Sequence, residues 1–169
     1  APRSTREQSR SPKGEQASTF INAFDQLQLL YKVAGVERRC MTQFPGVGAF
    51  LSSASVHGEE ICRCLFSILS GDKVFMDIGH GQGETALLVA HLFPSSRVLG
   101  MEKIDELDQE SRLLLKAAEQ TGFVRPGQVA FYHNDFRDEA SLKLMGQAQV
   151  LFYYSEGAYH VEELARAIV

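Results

Sequence analysis

Apolar residues are nearly absent from residues 1–18 and then recur at helical spacing. Phe20, Phe24, Leu27, Tyr31 and Ala34 fall on one face of an amphipathic helix. Ser18 or Thr19 stands ready to cap it and Gly35 to stop it. Residues 36–57 hold Pro45, Gly46 and Gly48 among small polar residues without a period, which predicts a long loop, a feature often functional in compact domains. A second helix is expected over about Gly58–Leu69, directing Ile61, Leu65, Ile68 and Leu69 toward a core. Beyond it, short apolar runs alternate with helical segments. Strands are expected over Val74–Ile78, Arg97–Glu102, Gln128–His133 and Gln149–Tyr154, and helices over Glu84–Phe93, Asp105–Thr121, Asp138–Met145 and Val161–Val169. Pro94 and Gly122 stop the first two of those helices.

Strands alternating with helices imply crossover units and a parallel sheet. The expected fold is α/β, doubly wound and Rossmann-like: a mostly parallel sheet with helices on both faces, preceded by two N-terminal helices. Ligands bind such sheets beyond the carboxyl ends of the strands. A fourth strand of Val150, Leu151 and Phe152 left at an open edge is an aggregation hazard, so the domain is expected to be incomplete at Val169.

The length of 169 residues fits one domain. With 44% hydrophobic and 22% charged residues, neither disorder nor a membrane protein is indicated, and no apolar run approaches the roughly 20 residues of a spanning helix. The opening stretch does not read as a secretory signal, and an intracellular protein is expected. Residues 1–18 carry Arg3, Arg6, Arg10 and Lys13 against Glu7 and Glu15, while the whole chain has a net charge of -4. They read as a flexible basic tail able to touch phosphate weakly, with residues 19–169 as the folded domain. The acidic domain favours a basic peptide over nucleic acid. Cys40, Cys62 and Cys64 match neither a disulfide framework nor a zinc pattern, and no metal site is expected.

The sharpest chemical signal is Asp77-Ile78-Gly79-His80-Gly81-Gln82-Gly83, between the first strand and its helix. Gly79, Gly81 and Gly83 allow a tight turn and close backbone approach to a ligand. A dinucleotide fingerprint needs a glycine where Glu84 stands, and a carboxylate at a helix start repels pyrophosphate, which disfavours a nicotinamide oxidoreductase. S-adenosylmethionine carries no phosphate. Asp77 suits its amino group, Glu102 at the second strand end suits both ribose hydroxyls, Asp135 at the third suits the adenine amino group, and Phe136 suits the ring. His80 reads as a loop residue.

His57-Gly58-Glu59 before a helix, Val74 to Gly83, Gly100-Met101-Glu102-Lys103 and Asn134-Asp135-Phe136 together resemble one family of class I S-adenosylmethionine-dependent methyltransferases. These are the disruptor-of-telomeric-silencing (Dot1-like, non-SET) histone H3 lysine methyltransferases, and the resemblance covers about residues 56–156. It implies a nuclear enzyme of chromatin that methylates nucleosomal histone H3 and leaves S-adenosylhomocysteine as product. It also implies a cofactor set of His57, Glu59, Asp77, Gly79, Gly81, Gly83, Glu84, Glu102, Lys103, Asp135 and Phe136. His57 and Glu60 replace the family's usual Tyr and Thr, and Glu84 a common Gln. Where the family has an Asn-rich segment at the methyl-transfer site, this chain has Tyr153, Tyr154, Ser155 and Glu156. Tyr153, Tyr154 and Ser155 are thus the expected catalytic residues, the tyrosines flanking a lysine channel. A class I methyltransferase acting on RNA or a small molecule, or a non-catalytic cofactor-binding module, shares the same cofactor half.

Overall fold

The computed structural model describes residues 12–44, 48–69, 71–154 and 161–168. Its elements are α1 (Pro12–Ala34), β1 (Met41–Phe44), β2 (Gly48–Leu51), α2 (Ser53–Ile68), β3 (Val74–Ile78), α3 (Glu84–Leu92), β4 (Arg97–Glu102), α4 (Asp105–Gln120), β5 (Val129–His133), α5 (Glu139–Met145), β6 (Val150–Tyr153) and α6 (Val161–Ile168). The expected strands of the main sheet stand within a residue of their predicted bounds.

The N-terminal third differs from expectation in three places. Helix α1 begins at Pro12 and so takes in residues 12–18, assigned above to a tail. Proline is well tolerated in a first turn, where its missing N–H costs nothing, and such a polar turn carries no apolar period to reveal it. The predicted loop over 36–57 contains an antiparallel hairpin pairing Met41 with Leu51 and Phe44 with Gly48. Strands of four residues are too short for alternation to show. Helix α2 starts at Ser53, and its backbone leaves helical geometry at His57 (φ −128°, ψ 15°). The helix read from Gly58 is the part after that kink.

The main sheet is wholly parallel, in the order β5-β4-β3-β6. From β3 the chain winds outward through β4 to β5, then returns to place β6 on the other side of β3. The order reverses between β3 and β6, and a crevice opens at such a point beyond the strand ends. Alternation along the strands sends side chains into two cores. Phe75, Val98, Val129 and Phe131 face one with residues of α1 to α4, including Leu27, Leu65, Leu87 and Leu114. Met76, Ile78, Leu99 and Met101 face the other with Met145 of α5 and Leu164 of α6. Burial on both faces explains why β3 and β4 read as continuous apolar runs. Each large side chain fully buried there contributes about 1.5–3 kcal/mol relative to exposure. No helix among the described residues is long and apolar enough to cross a membrane.

Gly100 occupies β4 directly opposite Asp77. A Cβ at Gly100 would lie 2.6 Å from both His80 Cδ2 and Phe131 Cδ1. His80 and Phe131 are themselves buried and their rings pack 4.3 Å apart, so neither has room to retreat. Gly100→Ala is therefore expected to cost about 1–3 kcal/mol by overpacking. Gly146→Ala, at an ordinary φ of −63° with no neighbour nearer than 3.6 Å, should be neutral or slightly stabilising. Urea midpoints separate the two, and equal midpoints would contradict the packing described.

Candidate active site

Strand β3 ends at Ile78, and the chain turns into α3 through Gly79 (φ 74°), Gly81 (φ 59°) and Gly83 (φ 85°). L side chains resist that left-handed region, which is why glycine recurs. Strand β4 holds the turn in place. Met101 O accepts from Gly79 N–H at 2.7 Å and His80 N–H at 3.2 Å, and Glu102 Oε2 accepts from Gly81 N–H at 2.9 Å. Gly79 is exposed, with open space where its side chain would stand. The ring of His80 is buried against Phe131, and its Nδ1 lies 2.9 Å from Gly81 O. Burial lowers its pKa to about 4, so it is neutral at pH 7.

The three strand-end acids differ in their surroundings. Asp77 is 3% exposed and receives no side-chain hydrogen bond among the described residues. Burial first, and the charge of Glu102 second, push its carboxyl up to about 8. Glu102, 5% exposed, accepts three backbone N–H groups: Gly81 at Oε2, and Lys103 and Ile104 at Oε1, each at 2.9 Å. Burial raises its pKa while those N–H groups oppose the rise. Three of the carboxylate's roughly four acceptor positions are thus engaged by the protein's own backbone. Asp135 lies just past β5 and is bound by Arg137, through its N–H at 3.0 Å, its Nε at 2.9 Å and its Nη2. Hydrogen bonding from the Arg137 guanidinium holds the Asp135 pKa at about 2. Phe136 meets the ring of Tyr153 edge-on at 6.4 Å, and the guanidinium of Arg137 stands 5.9 Å from its centroid.

Strand β6 runs beside β3 with Tyr153 opposite Ile78, so Tyr153 and Tyr154 emerge at the reversal point of the sheet. The kink in α2 brings His57 to the same place, its ring 5.7 Å from that of Tyr154 and its Nδ1 3.3 Å from Glu60 Oε2. Residues distant in sequence, 57 and 154, thereby meet at the crevice. Ser155 and Glu156 lie outside the described residues, and of Glu59 only the backbone, within α2, is described. Lys103 is exposed and contributes its N–H to Glu102.

Glu84 stands apart from the rest of the expected cofactor set. It is 4% exposed and both its oxygens are taken by protein donors: Tyr31 and Arg38 at Oε1, Ser52 at Oε2. Its neighbour Gln82 is fully buried and bonded at both ends. Sequence reasoning treated Tyr31 as a core position and singled out neither Arg38 nor Gln82. A carboxylate opening a helix beside a glycine turn was a signal that a donor must be found for it. No cluster of three metal-ligating side chains occurs among the described residues.

The fold is shared with a protein from Plasmodium falciparum described as a protein-L-isoaspartate O-methyltransferase, in complex with S-adenosyl-L-homocysteine. The TM-score is 0.55 at 14% identity, over 91% of this chain and 79% of that one. A mutant of MtNAS in complex with S-adenosylmethionine aligns with a TM-score of 0.55 at 17% identity, over 93% of this chain and 51% of that one, so this chain spans about half its length. At these identities the likeness is one of fold, the Rossmann-like fold of class I methyltransferases. Comparison with curated proteins by sequence finds no match. The profile of the family described as histone methylation protein DOT1 matches residues 50–156, from β2 to just beyond β6 and through every strand of the main sheet. Its span covers more than half of the chain and all the strand-end residues described above, and the chain belongs to the DOT1 histone methylation family.

Proposed function

We propose that this chain binds S-adenosylmethionine across the carboxyl ends of β3, β4 and β5 and transfers its methyl group to a lysine of nucleosomal histone H3, in the nucleus. The observation that carries the reading is Asp77, a carboxyl 3% exposed that meets no donor among the described residues, at the foot of a glycine turn. A buried polar group left unpaired costs stability and calls for a reason, and a cationic amino group from a ligand supplies one. When bound, S-adenosylmethionine supplies a methyl on a cationic sulfur, open to in-line attack by a neutral amine.

The residues divide the rest of the work. Asp77 takes the amino group, and Gly79 to Gly83 permit close approach of the backbone. Glu102 accepts one ribose hydroxyl through its remaining acceptor position. Asp135, its charge secured by Arg137, faces the adenine amino group, and Phe136 packs on the ring. Glu84 is assigned to holding the structure rather than to the cofactor. Tyr153, Tyr154 and His57 flank the acceptor side, with Ser155 next in the chain. A lysine must lose its proton before attack, and a partly buried aromatic wall lowers the ammonium pKa by desolvation. Positioning and exclusion of water then supply most of the acceleration. The net charge of -4 favours a basic protein acceptor over RNA. Residues 1–18, with their four basic side chains, are assigned a weak DNA contact.

Radiolabelled S-adenosylmethionine offered with nucleosomes, free histone H3 and total RNA tests the acceptor. The expected result is label on histone H3 in nucleosomes, reduced at least about tenfold in Tyr154→Ala by lost positioning of the amine. Label on RNA alone overturns the lysine assignment; a protein that binds the cofactor yet labels none of the three is a binding module.

Asp77 also makes a stability prediction. Its folded pKa of about 8 lies above its ordinary value of 3.8, so its contribution to stability is fully present below pH 3.8 and is lost as pH rises to about 8. Asp77→Asn, which does not titrate, should therefore gain in melting temperature over the native protein progressively from pH 4 to pH 8. Melting curves without ligand measure this, and a constant difference across that range would contradict the burial of a titrating carboxyl.

A further inference from the structure

The glycine turn is gripped a second time, by α1 and the residues that follow it. Glu84 Oε1 accepts from Tyr31 OH at 2.9 Å and from Arg38 Nε at 2.6 Å, and Oε2 accepts from Ser52 Oγ. Two residues earlier, Gln82 Oε1 accepts from Arg39 N–H at 2.9 Å, while its Nε2 donates to Glu37 O at 2.7 Å and Glu110 Oε2 at 2.9 Å. Arg39 then closes on Glu110 at 2.7 Å and on Glu106, which joins α4 to the same network. Every polar side-chain atom at positions 82 and 84 is engaged, and the partners come from α1, the segment Glu37–Arg39, Ser52 and α4.

A buried ion pair is a poor source of net stability compared with apolar packing, but it fixes geometry, because removing one partner strands the other charge. Deprived of Arg38, the Glu84 carboxylate is left desolvated and moves toward water. Glu84 is the first residue of α3, and the turn Gly79–Gly83 is attached to it directly. Glycine-rich turns are weakly constrained by their own backbone, so their shape depends on what holds their ends.

We propose that Glu84 and Gln82 are positioning residues through which docking of α1 and the Glu37–Arg39 segment sets the shape of the glycine turn, and with it the affinity for S-adenosylmethionine. The inference rests on the reading of that turn as the cofactor cradle. In this arrangement the N-terminal helix is part of the cofactor site through Tyr31, which bonds Gln82 at 3.3 Å and Glu84 at 2.9 Å. A perturbation of α1 is then read out as weaker cofactor binding before the sheet itself is disturbed.

The test uses the full chain, S-adenosylhomocysteine as calorimetric probe and amide hydrogen exchange over residues 79–84. Arg38→Gln is expected to weaken binding about tenfold, the equivalent of about 1.4 kcal/mol, and to speed exchange of the turn while β3 and β4 keep their protection. Tyr31→Phe, which removes one hydroxyl and folds more safely, should shift both in the same direction by less. Arg38→Lys, keeping the charge, should recover part of the affinity. Val129→Ala, in the core at the far end of β5, controls for stability and should leave affinity and turn exchange unchanged at a matched loss of melting temperature. Native affinity and native turn exchange in Arg38→Gln overturn the proposal, as does an equal loss of affinity in Val129→Ala. No binding by the native protein sinks the cofactor reading instead, and turn exchange still decides whether Arg38 positions the loop.

Discussion

A turn with three left-handed glycines closes one backbone hydrogen bond within itself, from Gly83 N–H to His80 O at 2.8 Å, and strand β4 holds the rest of it. Met101 O and the Glu102 carboxylate accept the N–H groups of Gly79, His80 and Gly81, so the turn is an extension of the β3–β4 pairing. That attachment requires the parallel register that sets Asp77 opposite Gly100 and Ile78 opposite Met101. It also requires glycine at position 100, where His80 and Phe131 fill the space a side chain would take. The same register brings Asp77 close enough to Glu102 to feel its charge. One strand pairing thus fixes the turn, packs the ring beneath it and buries two carboxyls beside each other.

Those carboxyls are costly. Burial lifts both above their ordinary range, yet Glu102 is compensated by three backbone N–H groups and Asp77 by none among the described residues. Natural proteins retain such local conflicts chiefly where function needs them. Glu84 shows the opposite solution close by, a carboxylate equally buried but fully bonded to Tyr31, Arg38 and Ser52. The contrast separates a carboxyl that meets no donor among the described residues from one whose two oxygens are both bonded. Asp135 lies between these extremes, exposed enough for a neighbouring arginine to hold its charge.

The central sheet was legible because β3 and β4 are buried on both faces, Gly79 follows the first of them, and Pro94 and Gly122 stop the helices that come between the strands. The strand-end acids were legible because the βα alternation fixes where each strand stops. What could not be read came from contacts distant in sequence. The hairpin of β1 and β2 is too short for a period to emerge, and the kink at His57 leaves no compositional mark. The ties from Tyr31 and Arg38 to Glu84 span 53 and 46 residues, and no local pattern announces them. Likewise, the predicted end of the second strand marked Glu102 as an acid there but not that three backbone N–H groups bind its carboxylate.

The central claim is that Asp77 waits for the amino group of S-adenosylmethionine. Calorimetric titration of S-adenosylhomocysteine into the native protein and Asp77→Asn, at pH 7 in buffers of different ionisation enthalpy, tests it most directly. With its carboxyl near 8, Asp77 is mostly protonated before binding and ionised after it, so binding to the native protein should release most of one proton. Asp77→Asn should bind at least about tenfold more weakly, as expected for loss of a buried charge-assisted hydrogen bond, and release none through this group. Failure of the intact native protein to bind, or equal affinity and equal proton release in the variant, would contradict the account.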